Sequence, residues 1–319
     1  MTEGRAAVFS SEVGSSALGE LLGRYGPGPF SWLHPAAHLL FSDRVTLLSW
    51  RSDSFGPLLA GETADGTLFL PLPPPAFFLP DLSPRARGEC LAALFSELSE
   101  SPGRRPPPFL ENCPLGSLPS GRFLIEPSES EYLVSAQALC NLSGKGGRSL
   151  RWEGNRFRRD HPKVRLRLVV PEDEPEIRHL STGFVRRRQE SARSEIDALL
   201  AADLARAFER APGLGARGML EGWVLEEPGR LLGLQWYGRS PDGKTLVCFL
   251  EARGYGVSNL GSVMTREVLL KAGEGVRFVN LMGSSGIDGV ERAKRDRPHD
   301  LVLPLFRLRP ASLGTRLRP

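Results

Sequence analysis

Cysteine is scarce in this chain and widely scattered: four in 319 residues, at Cys90, Cys113, Cys140 and Cys248, with no C-x-x-C pair. Such spacing argues against both a zinc site and a disulfide framework, and reads as small apolar side chains. Histidine is nearly as rare, with five in all. His34 and His38 stand four apart, but Pro35 follows the first and no third ligand is evident, so no metal is expected. No apolar run reaches the roughly eighteen residues that span a bilayer. The opening residues, MTEGRAAVFSSEVGSS, lack the charged-then-apolar order of a signal peptide, which makes a cytoplasmic location the expectation. Also missing are a Walker phosphate loop, a Ser-His-Asp order and any complete G-x-G-x-x-G fingerprint.

Glycine and proline are plentiful instead, 35 and 27 residues, and together they imply a folded, loop-rich protein. The length suits two domains, each large enough for its own core. Lys and Arg exceed Asp and Glu by 41 to 37, and the excess is concentrated between Lys145 and Arg167 and at Arg186 to Arg188. A polyanionic partner is one reading of these clusters, and solvated helix faces are the other.

Along the chain, residues 1–27 read as a partly mobile arm with a short helix from Ser16 to Leu22. Residues 28–135 read as a first domain. It opens with short strands HLLFS, RVTLLSWRS, GPLLAGE and TLFLPLP, with a hairpin turn at Ala64-Asp65-Gly66. Its helix, Pro84 to Leu98, is capped by Ser83, and strand material at Arg122–Glu126 and Glu131–Val134 closes it. Residues 136–319 read as a second domain with a clearer order. A basic helix, Leu150 to Asp160, offers Leu150, Trp152 and Phe157 for packing and precedes a strand, Val164 to Val170. Helices Glu176–Arg188 and Ser194–Arg210 follow; the second has Ile196, Leu199, Leu200, Leu204 and Phe208 on one face and is stopped by Pro212-Gly213. Three strands then form a meander, Gly218–Leu225, Arg230–Tyr237 and Lys244–Glu251. A short strand Val276–Asn280, a helix Gly286–Arg295 and a closing strand Leu301–Leu308 complete the chain.

Lys244 to Lys271 is the stretch around which the rest is organised. Its strand ends in Arg253-Gly254-Tyr255-Gly256-Val257-Ser258, and a helix begins at Ser258 or Asn259 with Leu260, Val263, Met264, Glu267, Val268 and Leu270 on one face. Glycines between a strand and a helix start let a ligand approach the backbone, and the first helical N–H groups favour an anion or a carbonyl oxygen. A plain strand-to-helix turn is the alternative reading.

The element order of the second half resembles the GCN5-related N-acetyltransferase fold, and Arg253 to Ser258 resembles that superfamily's pyrophosphate-binding turn, Gln/Arg-x-x-Gly-x-Gly/Ala. A closer resemblance runs most clearly from Glu131 to Arg309. The segment EYLVSAQALCNLSGKGGRSLRWEGNRFRRDHP keeps Tyr132, Leu142, Gly144, Lys145, Arg151, Asn155, Arg156 and Phe157 of the DUF2156 signature. Glu251, Asn280, Ala293-Lys294 and Pro298 fit that family's later positions. The chain departs from it at Asn280-Leu281-Met282-Gly283-Ser284-Ser285-Gly286, where the family reads N-R-E-x-D-x-G. DUF2156 is similar to the C-terminal domain of phosphatidylglycerol lysyltransferases.

The resemblance implies an α+β protein of two tandem GNAT-like domains, each a mixed, mostly antiparallel sheet flanked by helices, the first one degenerate. It further implies transfer of an aminoacyl group from aminoacyl-tRNA to an amine or hydroxyl acceptor, a lipid headgroup or small molecule, with no tightly bound cofactor. An acyl-CoA co-substrate is the alternative, and a catalytically inactive binding module is a third. Acyl transfer needs a polarised carbonyl, a proton acceptor and a held leaving group. The candidates are Glu251 as base, Asn280, Lys294 for a phosphate and Tyr255 as donor to the leaving oxygen. Arg253, Gly254, Gly256, Val257, Ser258 and Asn259 are the expected donor-binding residues. Lys145, Arg148, Arg151, Arg156, Arg159 and Arg292 are the expected tRNA- or phosphate-docking residues.

Overall fold

A computed structural model describes residues 6–8, 14–25, 28–41, 45–52, 55–63, 67–78, 82–99, 109–121, 123–142, 144–257, 260–283, 291, 294 and 301–311. The chain divides into two compact units: residues 1–26, 42–130 and 303–319 form one, residues 27–41 and 131–302 the other.

In the first unit, β1 (Ala6–Val8), β2 (Val45–Ser52), β3 (Gly56–Thr63) and β4 (Leu68–Leu70) pair antiparallel in sequence order. β5 (Phe109–Pro114) joins β4 in parallel, and β12 (Leu301–Pro310) pairs antiparallel with β5. Helix α1 (Gly14–Gly23) lies between β1 and β2 in sequence, and α3 (Pro84–Ser99) packs upon the sheet. The spacing of Leu91, Leu94, Phe95 and Leu98 puts these four on one face of α3, where they meet Leu58, Leu70 and Leu110. Ser83 caps α3 by accepting the Ala86 amide at 3.2 Å.

In the second unit the strand order is β6 (Phe123–Ser135, through its end), β11 (Phe278–Asn280), β10 (Thr245–Arg253), β9 (Arg230–Arg239), β8 (Glu221–Glu227) and β7 (Arg165–Leu168). Among the described strands of this unit only β10 and β11 run parallel; the expected meander of β8, β9 and β10 is antiparallel. Helices α4 (Ala136–Asn141), α5 (Gly144–Asp160) and α8 (Leu260–Ala272) cover one face of this sheet. The other face is covered by α2 (Pro35–Leu40), α6 (Glu174–Glu190) and α7 (Glu195–Ala216). Both units are thus mixed, mostly antiparallel sheets flanked by helices. No helix among the described residues is long and apolar enough to cross a membrane.

Several expectations are corrected. HLLFS is not a strand: Pro35 stands at the first helical position and the His34 ring accepts the Ala36 amide, so the segment begins as helix α2. Helix α7 does not stop at Pro212 but carries it in its interior to Ala216, because Ala211 and Leu214 are buried and that packing outweighs the missing N–H. Its buried face is Ala201, Ala207, Phe208, Ala211 and Leu214, while Ile196 and Leu199 are exposed. On α8 it is Leu269 that is buried and Leu270 that faces solvent. Helix α5 begins six residues earlier than expected, and its Trp152 does not pack. The turn at Ala64-Asp65-Gly66 and most of the helix expected over 286–295 lie outside the described residues.

His34 is buried against Phe249, with ring centroids 5.3 Å apart, and a side chain on Gly238 would strike its imidazole. Burial, and next the neighbouring His38, push its pKa down to about 4. A histidine depressed in the fold stays neutral while the unfolded chain, titrating near 6.5, takes up the proton. Stability therefore falls as pH is lowered from about 6.5 to about 4, by up to about 1.4 kcal/mol per pH unit from this group. His34→Asn keeps an acceptor for the Ala36 amide and is expected to reduce that slope in urea titrations; an unchanged slope would show that His34 does not supply it.

Candidate functional site

Strand β10 is interrupted just before Glu251. Its register with β9 shifts between Cys248 and Leu250, and Phe249 and Leu250 both pack into the α6–α7 side of the sheet. Without that extra residue, alternation would put Glu251 on the same side as Val247 and Phe249. With it, Glu251 points to the α8 side, opposite Gln235 of β9. The parallel ladder to β11 stops at Val247 and Asn280, so the end of β10 that bears Glu251 runs on beyond it.

Glu251 is fixed in position from two directions. The Gln235 amide nitrogen donates to its Oε2 at 2.7 Å, and a Cβ on Gly261, in the first turn of α8, would lie within 2.5–2.8 Å of its carboxyl group. Gln235 is 0% exposed, and its Oε1 accepts the Tyr237 hydroxyl at 2.5 Å. Thr265 Oγ1 lies 3.2 Å from the Tyr237 hydroxyl and donates to the Gly261 carbonyl at 2.8 Å. Burial pushes the Tyr237 phenol well above its ordinary range, so it stays a protonated donor to Gln235. The chain Tyr237, Gln235, Glu251 thus leaves the carboxylate as the acceptor at its outer end.

Beyond Arg253 the chain turns into the candidate cradle. The Gly254 amide is used by the Leu232 carbonyl at 2.8 Å and the Val257 amide points to the Gly254 carbonyl at 3.4 Å. The Tyr255 and Gly256 amides have no partner among the described residues. Gly256 has φ +74, a left-handed conformation that suits glycine, and Val257 is buried under the turn. Tyr255 is 86% exposed, with the Arg187 guanidinium 5.9 Å from its ring centre. Arg187 also donates to the Arg253 carbonyl at 2.6 Å, and Arg188 lies within electrostatic reach of Arg253 and Glu251. Three arginines therefore surround the turn, two of them from the end of α6. The Arg186–Arg188 cluster was evident in the sequence but its position was not; Gln235, polar within the apolar run LLGLQWYG, is a legible signal of a buried polar contact.

Asn280 and Lys294 occupy a different place. Val247, the strand partner of Asn280, is four residues before Glu251, about 13 Å along the strand at about 3.3 Å per residue. Asn280 is fully buried; it donates at 2.7 Å to both Glu131 and the Pro29 carbonyl and accepts the Met282 amide at 2.7 Å. Lys294 donates to the carbonyls of Leu281, Met282 and Gly283. Met282 has φ +59, a costly conformation for its side chain, and these bonds hold it there.

The docking residues divide similarly. Arg148, Arg151, Arg156 and Arg159 are exposed along α5. Arg151 donates to the Leu142 carbonyl, and Arg156 and Arg159 lie 3.6 and 3.5 Å from Asp160. Ser258, Asn259, Arg292 and the Lys145 side chain lie outside the described residues. Among the described residues, no cluster of three or more metal-binding side chains is present.

No protein-family model and no curated protein matches the sequence. Solved structures do match the fold. A conserved protein of unknown function from Bacteroides thetaiotaomicron aligns with TM-score 0.69 at 14% identity, covering 90% of each chain. The C-terminal DUF2156 domain of a putative lysylphosphatidylglycerol synthetase from Agrobacterium fabrum aligns with TM-score 0.59 at 14% identity, over 93% of this chain and 95% of that one. A GNAT-family acetyltransferase from Colwellia psychrerythraea aligns with TM-score 0.50 at 11% identity, over 96% and 100%. The chain has the GNAT-like fold that the sequence resemblance implied.

Removing Gln235 strands partners at both of its ends. Gln235→Leu is expected to lower the free energy of unfolding by about 1–3 kcal/mol, because Glu251 loses its donor and the buried Tyr237 hydroxyl is left with only the longer contact to Thr265. Tyr237→Phe is expected to cost about 1 kcal/mol. Equal stability of Gln235→Leu and the parent in urea denaturation would mean that the polar chain is not formed.

Proposed function

We propose that this protein is an acyltransferase that moves an aminoacyl group from aminoacyl-tRNA to an amine or hydroxyl acceptor, either a lipid headgroup or a small molecule. One observation carries the reading: the bulge in β10 and the Gln235 amide aim Glu251 toward the first turn of α8, a few residues before a turn with two unspent amides. That arrangement offers a proton acceptor and a carbonyl-polarising site close together in the chain.

In the proposed reaction the acceptor nitrogen or oxygen attacks the carbonyl carbon of the aminoacyl ester. Its proton passes to Glu251, directly or through a water. The Tyr255 and Gly256 amides receive the oxygen on which negative charge develops, and Ser258 and Asn259 are further candidates to hold the donor. The new C–N or C–O bond forms as the ester C–O bond to the ribose breaks, and the ribose oxygen leaves as a hydroxyl with a proton from Tyr255. Arg187, Arg188 and Arg253 balance the donor's phosphate charge. Gly254 and Val257 shape the turn, while Asn280 and Lys294 keep the segment after β11 in its strained path. Lys145, Arg148, Arg151, Arg156, Arg159 and Arg292 supply the docking charge for tRNA.

The same turn, with three arginines around it, suits the pyrophosphate of an acyl-CoA, which is the second reading. Thermal unfolding with coenzyme A, acetyl-CoA and total charged tRNA, each at low and high salt, separates the two. A ligand at a hundredfold its Kd adds about 2.7 kcal/mol. A shift with charged tRNA that collapses in salt supports the aminoacyl donor; a shift with coenzyme A alone supports the acyl-CoA donor. No shift with any of them argues for a binding module without catalysis.

Glu251→Gln keeps an oxygen for the Gln235 amide but cannot take a proton. With the donor identified, its kcat is expected to fall by about a hundredfold or more, with an unfolding midpoint near that of the parent. Undiminished turnover in this variant would remove Glu251 from the mechanism.

A further inference from the structure

Helix α5 has an outer face that the fold does not use. Leu150 and Phe157 turn inward, while Arg148, Trp152, Arg156 and Arg159, at offsets of four, eight and eleven residues, form one exposed stripe. Trp152 is 60% exposed, an unusual position for the largest apolar side chain, and the Arg156 guanidinium carbon lies 5.4 Å from its ring centre. Arginines on either side of a solvent-facing indole make a charged surface with one flat stacking platform in it.

We infer that this stripe grips a single-stranded stretch of RNA, with Trp152 stacking on an unpaired base and Arg148, Arg156 and Arg159 meeting the flanking phosphates. The inference deepens the aminoacyl-tRNA reading and rests on it. The balance of side chains selects the partner. A helix that lies in a bilayer surface presents a broad apolar face, but here the apolar side chains of α5 are turned into the core and Trp152 alone is offered outward. Single strands are bound by the combination that is present, cationic side chains tracking the backbone and an aromatic ring taking a base, with arginine adding cation–π attraction. Duplex RNA keeps its bases stacked inside and gains only from the arginines. The stripe also has a structural connection to the candidate site. Arg158 of α5 is ion-paired with Glu267 of α8, the helix whose first turn contacts Glu251.

The test is fluorescence anisotropy of the full chain with labelled single-stranded oligoadenylate, with duplex RNA of the same length and with vesicles containing anionic lipid. Trp152→Ala is expected to weaken single-strand binding about tenfold or more, Trp152→Phe to retain most of it, and duplex binding to change little. Arg148→Ala with Arg156→Ala is expected to weaken both RNAs and flatten the dependence on salt. Since Trp152 is exposed, the variants should unfold at the parent's midpoint. Single-strand binding that is lost in the arginine variant yet unchanged in Trp152→Ala overturns the stacking role and leaves the tRNA reading standing. Absence of any RNA binding overturns both. A Trp152 effect on vesicles and not on RNA identifies the stripe as a membrane contact and overturns the inference.

Discussion

One extra residue in one strand determines which face of the second unit's sheet Glu251 occupies. Strand side chains alternate, so a single inserted position turns everything after it to the opposite face of the sheet. In β10 that insertion falls at Phe249 and Leu250, both of which bury against α6 and α7. Glu251 then emerges toward α8 instead of into the apolar layer, and Gln235, its cross-strand partner, meets it there. Gly261 completes the arrangement by having no side chain: a methyl group at that position would occupy the space of the carboxylate. The burial of Gln235 and Tyr237, costly in isolation, is offset by the hydrogen bonds that lead outward to Glu251.

The fold was legible because it rests on periodicity. The strand, helix, helix, meander, helix and strand order of the second unit follows from apolar spacing and turn residues. Errors occurred where packing overrides local preference. Pro212 marks a helix end by propensity, but Ala211 and Leu214 bury more than the lost hydrogen bond costs. HLLFS has the composition of a strand, yet Pro35 and the His34 cap start a helix just before it.

The turn after β10 was legible as a turn, but its geometry was not. Glu251 and Arg253–Val257 were singled out by their position at the passage from a strand to a helix, and they do lie at the end of β10 and before α8. The bulge that orients Glu251 leaves no mark in VCFLE, because two adjacent apolar residues are ordinary in a buried strand. The grouping of Glu251 with Asn280 and Lys294 ran together two neighbourhoods that the strand register separates. Asn280 is tied to Glu131, which also accepts the Ser31 amide and lies 149 residues away in sequence. No pattern of local spacing can reveal a partnership of that kind.

The division of the chain has a consequence for its synthesis. Residues 27–41 belong with residues 131–302, and α2 within them is held by Arg210, whose guanidinium bonds the carbonyls of Leu39 and Leu40 across 171 and 170 residues. During translation this early segment leaves the ribosome long before its partners exist. The first unit is in the same position, since its last strand partner, β12, is made after all the others. Residues 27–41 and the early strands of the first unit must therefore wait, with apolar surface uncovered, until their distant partners are made. Long-range closure of this kind slows folding and leaves the waiting segments open to aggregation.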